Sequence, residues 1–126
     1  MDELQLITKD LRKAVSRLKE ILELEKTMIN RDSAIKRFEF CFELAWKSIK
    51  KYSAQEGVEC RSPKSCFRTA FQLKLIEYDE QWMMMVDDRN IASHAYKEEA
   101  ANDIYSHLPN YLKLFEKLLK KLSSEE

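Results

Sequence analysis

Between Arg89 and Tyr96 the chain gathers an arginine, an asparagine, a histidine and a tyrosine in the run Arg89-Asn90-Ile91-Ala92-Ser93-His94-Ala95-Tyr96. Arginine is a permanent cation whose planar donor fork suits phosphate. Histidine titrates near neutrality and can take or give a proton. The tyrosine hydroxyl can contact a base or itself accept a nucleotidyl group. At helical spacing Asn90 and His94 share one face, as do Arg89 and Ser93. Arg89 and His94, however, are separated by about 140° around a regular helix and about 7.5 Å along it. Three routes could still join them in one site: the long arginine wraps around, the helix distorts near its end, or a two-fold axis brings Arg89 and His94 of two chains into one cleft. The bland alternative pairs Arg89 with Asp87 or Glu98 and leaves His94 as a helix end.

Other residue patterns carry less. Glu39, Glu43, Lys47 and Lys51 form one stripe at intervals of four, with acid preceding base, as solvated helix pairs prefer. Glu43 and Lys47 also adjoin an aromatic run, so they are the supporting candidates if that stripe faces a cleft. Trp82 and Met83 to Met85 read as core filling. His94 and His107 have neither H-E-x-x-H spacing nor a carboxylate partner in register, so no metal site is expected. Cys60 and Cys66 have no histidine nearby and read as separate buried or half-buried thiols. The single glycine excludes a glycine-rich phosphate loop, and no cofactor is expected.

Composition limits the framework that holds these groups. The chain has 126 residues, 35% of them charged, with one Gly and two Pro, which favours long helices over sheets and turns. Its 22 basic and 22 acidic residues balance, so there is no global field for nucleic acid or an acidic membrane, and any anion must be held locally. Three cysteines without C-x-x-C spacing, after a start lacking a signal-like segment, suggest free thiols in a reducing cytoplasm. The run from Trp82 to Val86 is far too short to span a bilayer.

Five helices account for the pattern. Leu4, Ile7, Leu11, Ala14, Leu18 and Ile21 make one apolar seam, either for packing inside the bundle or for a contact between subunits. Asn30 to Ser33 offer caps for a second helix carrying Ile35, Phe38, Phe42, Ala45, Ile49 and Tyr52, closed near Gly57. Phe40, Cys41, Leu44 and Trp46 make that helix apolar on further faces, which implies a central position or a partner chain, and hence a dimer. Ser62-Pro63 should start a third helix reaching about Leu75. Asp79 can cap a fourth, running into the Arg89 to His94 segment. A fifth begins near Lys97 or Glu98, with a kink or break expected around Tyr105 to Leu108 because of Pro109. The expected fold is all-α: an antiparallel up-and-down bundle of four to five helices, residues 1–126 forming one domain.

The spacing Arg89, four residues, His94, one residue, Tyr96 resembles the R-x4-6-H-x-Y motif of HEPN proteins. The segment Arg37-Phe38-Glu39-Phe40-Cys41-Phe42-Glu43-Leu44-Ala45-Trp46-Lys47 is similar to the aromatic helix of their nucleotidyltransferase substrate-binding subgroup. The late helix, with Ile104-Tyr105, Pro109 and Tyr111-Leu112, fits as well, so the likeness covers nearly the whole chain. The resemblance implies a homodimeric bundle partnered with a minimal nucleotidyltransferase. It further implies one of two functions. The first is a ribonuclease toxin that cleaves RNA without metal at a dimer cleft, with Arg89 and His94 as catalytic residues and Asn90 in support, silenced by its partner through adenylylation of Tyr96. The second is a non-catalytic subunit that presents a nucleotide or other substrate to that enzyme.

Overall fold

A computed structural model describes residues 1–124, with five α-helices and one 3-10 turn among them and no strand. They run as α1 (Glu3–Leu22), α2 (Met28–Gln55), α3 (Pro63–Gln72), α4 (Gln81–Ile91), the 3-10 turn (Ala92–His94) and α5 (Glu98–Ser124). The all-α bundle expected from the sequence is therefore the fold observed.

Each start has a local cause. Asp2 accepts from the Gln5 backbone and Gln5 returns the bond, a reciprocal box that frees no donor at the head of α1. Ser62 caps α3 with Pro63 at its first position, as expected. The Asp79 carboxylate accepts from the Gln81 backbone at 2.9 Å at the head of α4. Helix α2 departs from expectation: Thr27, not the Asn30 to Ser33 run, caps it, because Thr27 Oγ1 receives the Asn30 N–H at 3.0 Å and three more residues join the first turn. Gly57 takes φ of +79° just beyond the helix end, a conformation that costs glycine nothing.

The α1 seam is spent inside the chain. Leu4, Leu11, Val15, Leu18 and Ile21 are buried, and α1 packs mainly on α2 and α5, so the subunit-contact reading of this seam is not needed. The core is an aromatic ladder through four helices: Phe38 stacks on Tyr111 at 5.5 Å, Phe42 meets Phe67 edge-on at 5.9 Å, and Trp82 lies 4.8 Å from Phe67 and 6.1 Å from Phe115. Helix α2 thus sits centrally, yet Phe40 remains exposed on its outer side.

Two expectations fail. The break expected near Pro109 is absent: helix α5 is continuous through it, with the proline on the exposed face, where the Tyr105 carbonyl it leaves unbonded can turn to solvent. Cys60 and Cys66 are not separate thiols but a disulfide: the Ser62-Pro63 turn brings their Cα atoms to 5.1 Å, within bridging range. That bond removes these cysteines as support for a reducing compartment. Cys41 stays free and buried, and burial pushes its thiol up to about 12, which leaves it inert near neutrality. No described helix is long and apolar enough to cross a membrane.

Candidate functional site

Helix α4 delivers Arg89 toward α2. Its guanidinium bonds to the Glu43 carboxylate through Nη2, reaches Asn90 Oδ1 at 3.4 Å through Nη1, and lies over the Phe42 ring, 5.4 Å from the centroid. Neither Asp87 nor Glu98 is its partner. Glu43 is the hub of this group: its second oxygen accepts from Trp46 Nε1 at 3.2 Å and lies 3.8 Å from Lys47 Nζ. Arg89, Glu43, Lys47 and Asn90 therefore meet in one half-exposed cluster between α2 and α4. The carboxylate and the aromatic face together fix the plane of the arginine fork while part of it stays open to solvent, a geometry suited to an incoming phosphate.

His94 and Tyr96 occupy a different place. His94 closes the 3-10 turn, exposed, and its ring meets that of Tyr96 edge-on at 6.1 Å. Tyr96 is 78% exposed, so its hydroxyl is open to a second macromolecule, and Lys97 Nζ lies 6.0 Å from the centre of its ring. The helix does distort after Ile91, but in the wrong sense to join Arg89 with His94. Tightening the last steps to 3-10 geometry turns His94 to about 160° from Arg89 and to about 9 Å along the axis. Arg89 does not wrap around either, since Glu43 holds it on the α2 side. Of the three routes to convergence, the second subunit is the one left open.

Two further clamps position this segment, and sequence reasoning missed both. The buried Asp88 carboxylate faces α5, where Oδ2 accepts from the Tyr111 hydroxyl at 2.5 Å and from His107 Nδ1 at 2.7 Å. An ionised carboxylate only accepts, so Nδ1 carries the proton. His107 thus has the carboxylate partner that its sequence neighbourhood did not offer. Burial first, and Asp88 second, hold the Tyr111 phenol well above its usual range, so it stays a neutral donor. Successive helical residues point about 100° apart, so Asp88 pins α4 to α5 while Arg89 pins it to α2. The only other signal was the i,i+4 pair His107 and Tyr111 on one face of α5.

Downstream, buried Arg31 holds Glu98 with two bonds of 2.9 and 3.2 Å and also meets Asp32 and Asn102. Residues 92–97 are therefore strung between ion pairs at both ends. The bond from Arg31 holds the Glu98 carboxyl below its ordinary value of 4.5. A lowered folded value means that this contribution to stability is present above the ordinary carboxylate range and is lost as pH falls through it. The stability gap between the wild type and Arg31→Met should accordingly narrow below about pH 4.5, which urea melts across pH 3–7 would check; a gap independent of pH would contradict the pairing. Among the described residues no group of three or more His, Cys, Asp or Glu is arranged to hold a metal.

The sequence profile of a family described as "Nucleotidyltransferase substrate binding protein like" matches residues 6–124. The chain belongs to this family. Solved structures share its architecture: a protein from Thermus thermophilus superposes with a TM-score of 0.84 at 40% identity, covering 89% of this chain and 98% of that one. A Haemophilus influenzae structure, described as revealing the fold of a substrate binding domain of a nucleotidyltransferase, superposes at 0.71 with 25% identity, covering 95% and 96%. A second similarity from Haemophilus influenzae is to the protein named "Probable ribonuclease HepT", 32% identical over 84 residues, 63% of this chain. That match spans 58% of the relative's length.

Proposed function

We propose that this family member is a metal-independent endoribonuclease toxin whose active site forms between two copies of the chain, and that a minimal nucleotidyltransferase is its antitoxin. The observation that carries the reading is the division of labour along one short segment: an oriented, half-exposed Arg89 fork on one side of α4 and an exposed His94 on the other. The likeness to a protein named as a ribonuclease supports it. The neutral net charge fits a local phosphate site rather than generic RNA binding.

In this reading the 2′-hydroxyl oxygen of the RNA attacks the adjacent phosphorus. A P–O2′ bond forms, the P–O5′ bond breaks, and a cyclic phosphate and a 5′-hydroxyl result. His94 moves the proton between these oxygens. Arg89 from the facing chain opposes the charge that grows on the phosphoryl oxygens, its plane set by Glu43 and Phe42, with Lys47 and Asn90 in support. A two-fold arrangement that buries the exposed Phe40 of α2 would give the aromatic helix its remaining cover.

Tyr96 is the control point. Its exposed hydroxyl attacks the α-phosphorus of ATP held by the nucleotidyltransferase, pyrophosphate leaves, and the AMP bonded beside His94 obstructs the site. Incubation with ATP and the partner enzyme should add AMP mass to the wild type and none to Tyr96→Phe, read by intact mass spectrometry; equal AMP uptake by the variant would contradict this assignment. The second reading, a non-catalytic subunit presenting substrate to the nucleotidyltransferase, is favoured by the Arg89–Glu43 ion pair, which engages the arginine within its own chain. It expects a stable complex and no cleavage of any RNA by the free protein.

A further inference from the structure

At the end of α4 remote from Arg89, the α3–α4 connection and the last turns of α5 enclose a cavity of about 380 Å³. Its floor is apolar and buried, made by Leu75, Trp82, Leu114 and Leu118. That volume lies within the range of small-molecule sites. The mouth is basic: Lys74, Lys117, Lys120 and Lys121 face Glu77 and Asp79 only. None of the four ammonium groups forms an ion pair with a described residue. Asp79 is already engaged by the Gln81 N–H at the head of α4. Lys117 and Lys121 stand one helical turn apart, a like-charged arrangement that destabilises a helix without a counter-ion.

Lys74 adds an independent observation. It has φ of +63°, the left-handed conformation that side chains disfavour. It stands at the reversal that ends α3, where the Leu75 N–H returns to Ala70 O at 2.8 Å and the Lys74 N–H to Phe71 O at 3.0 Å. Glycine or asparagine is the usual choice at such a helix end. The chain instead carries a long cation there, at the rim of an apolar cavity, and local strain retained at a ligand clamp is a recognised pattern.

We propose that this cavity binds a small amphiphilic anion, its apolar body on the Trp82 floor and its phosphate or carboxylate head among Lys74, Lys117 and Lys121. The site is separate from the Arg89 cluster: Trp82 and Arg89 are about 10 Å apart along α4.

Octyl phosphate and octanoate are the probes, titrated into the full chain while the Trp82 indole N–H is followed by NMR, assigned with Trp46→Phe. At least one of the two should shift that signal saturably, and the better one identifies the head group. Octanol, and inorganic phosphate alone, should bind at least about tenfold more weakly, since each lacks half of the recognition. Lys117→Gln with Lys121→Gln should weaken binding by about tenfold or more. Lys74→Gly should also weaken it while leaving Tm equal or higher, an outcome that a merely structural lysine would not produce. Arg89→Ala should bind as the wild type does. Failure of both anions, octanol binding as tightly as they do, unchanged affinity in the lysine variants, or loss of binding in Arg89→Ala would each overturn the proposal.

Discussion

Replacing His94 with alanine is expected to lower RNA cleavage by about 10²–10⁴-fold, the usual loss when a positioned proton carrier is removed. His94 is exposed and outside the core, so the same change should alter stability by only about 0.5 kcal/mol or less. Arg89→Ala is expected to cost about 10²–10³-fold, by analogy with deletion of a donor that opposes developing charge. Its half-exposed pairing with Glu43 adds about 0–1 kcal/mol of stability. Arg89→Lys should rescue little, because the ammonium lacks the planar fork that Glu43 and Phe42 hold in place. Gel assays with a panel of RNAs, beside circular dichroism and light scattering, separate loss of chemistry from loss of fold. Cleavage at the wild-type rate by both alanine variants would contradict the roles given to Arg89 and His94, whereas no cleavage of any RNA by the wild type would leave the substrate-presenting reading.

The largest stability effect is expected at Asp88. Asp88→Ala leaves the fully buried Tyr111 hydroxyl without its acceptor and releases His107 as well, at a cost of about 3 kcal/mol. Tyr111→Phe removes one of the two bonds and should cost about 1–2 kcal/mol. If both act through the same clamp, the double variant will lose less than the sum of the singles, a coupling of at least about 0.5 kcal/mol in urea melts. Strict additivity would show that the two side chains act independently. Asp88 sits beside Arg89, so Asp88→Asn, which keeps an acceptor oxygen, should recover much of the stability and report whether the rotation of α4 also governs the site.

The helices were legible because their signals are local. Ser62-Pro63, Gly57 and the period of α1 each act within a turn or two of chain, and each appears where that physics puts it. Thr27 was overlooked because the denser polar run that follows it competes for the same role, although one hydroxyl accepting the Asn30 N–H decides the matter. The Arg89 cluster was half legible: Glu43 and Lys47 stood out as a stripe on α2, but that Glu43 meets Arg89 depends on how α2 and α4 are set against each other. Periodicity along one helix contains no such information. The same holds for Asp88 with His107 and Tyr111, and for Arg31 with Glu98, partners that lie on different helices. The disulfide was missed for a different reason. An odd cysteine count argued for free thiols, whereas a tight Ser-Pro turn brings two of the three together and leaves Cys41 in the core.

The central claim, a site built from Arg89 of one chain and His94 of another, has a direct test in mixed subunits. Arg89→Ala and His94→Ala, each inactive alone, are unfolded together and refolded, and RNA cleavage is measured. A shared site predicts that activity returns, to roughly a quarter of the wild-type value, because half of the dimers are mixed and each mixed dimer has one intact site. Mixtures as inactive as their parents, despite demonstrated exchange of subunits, would contradict it.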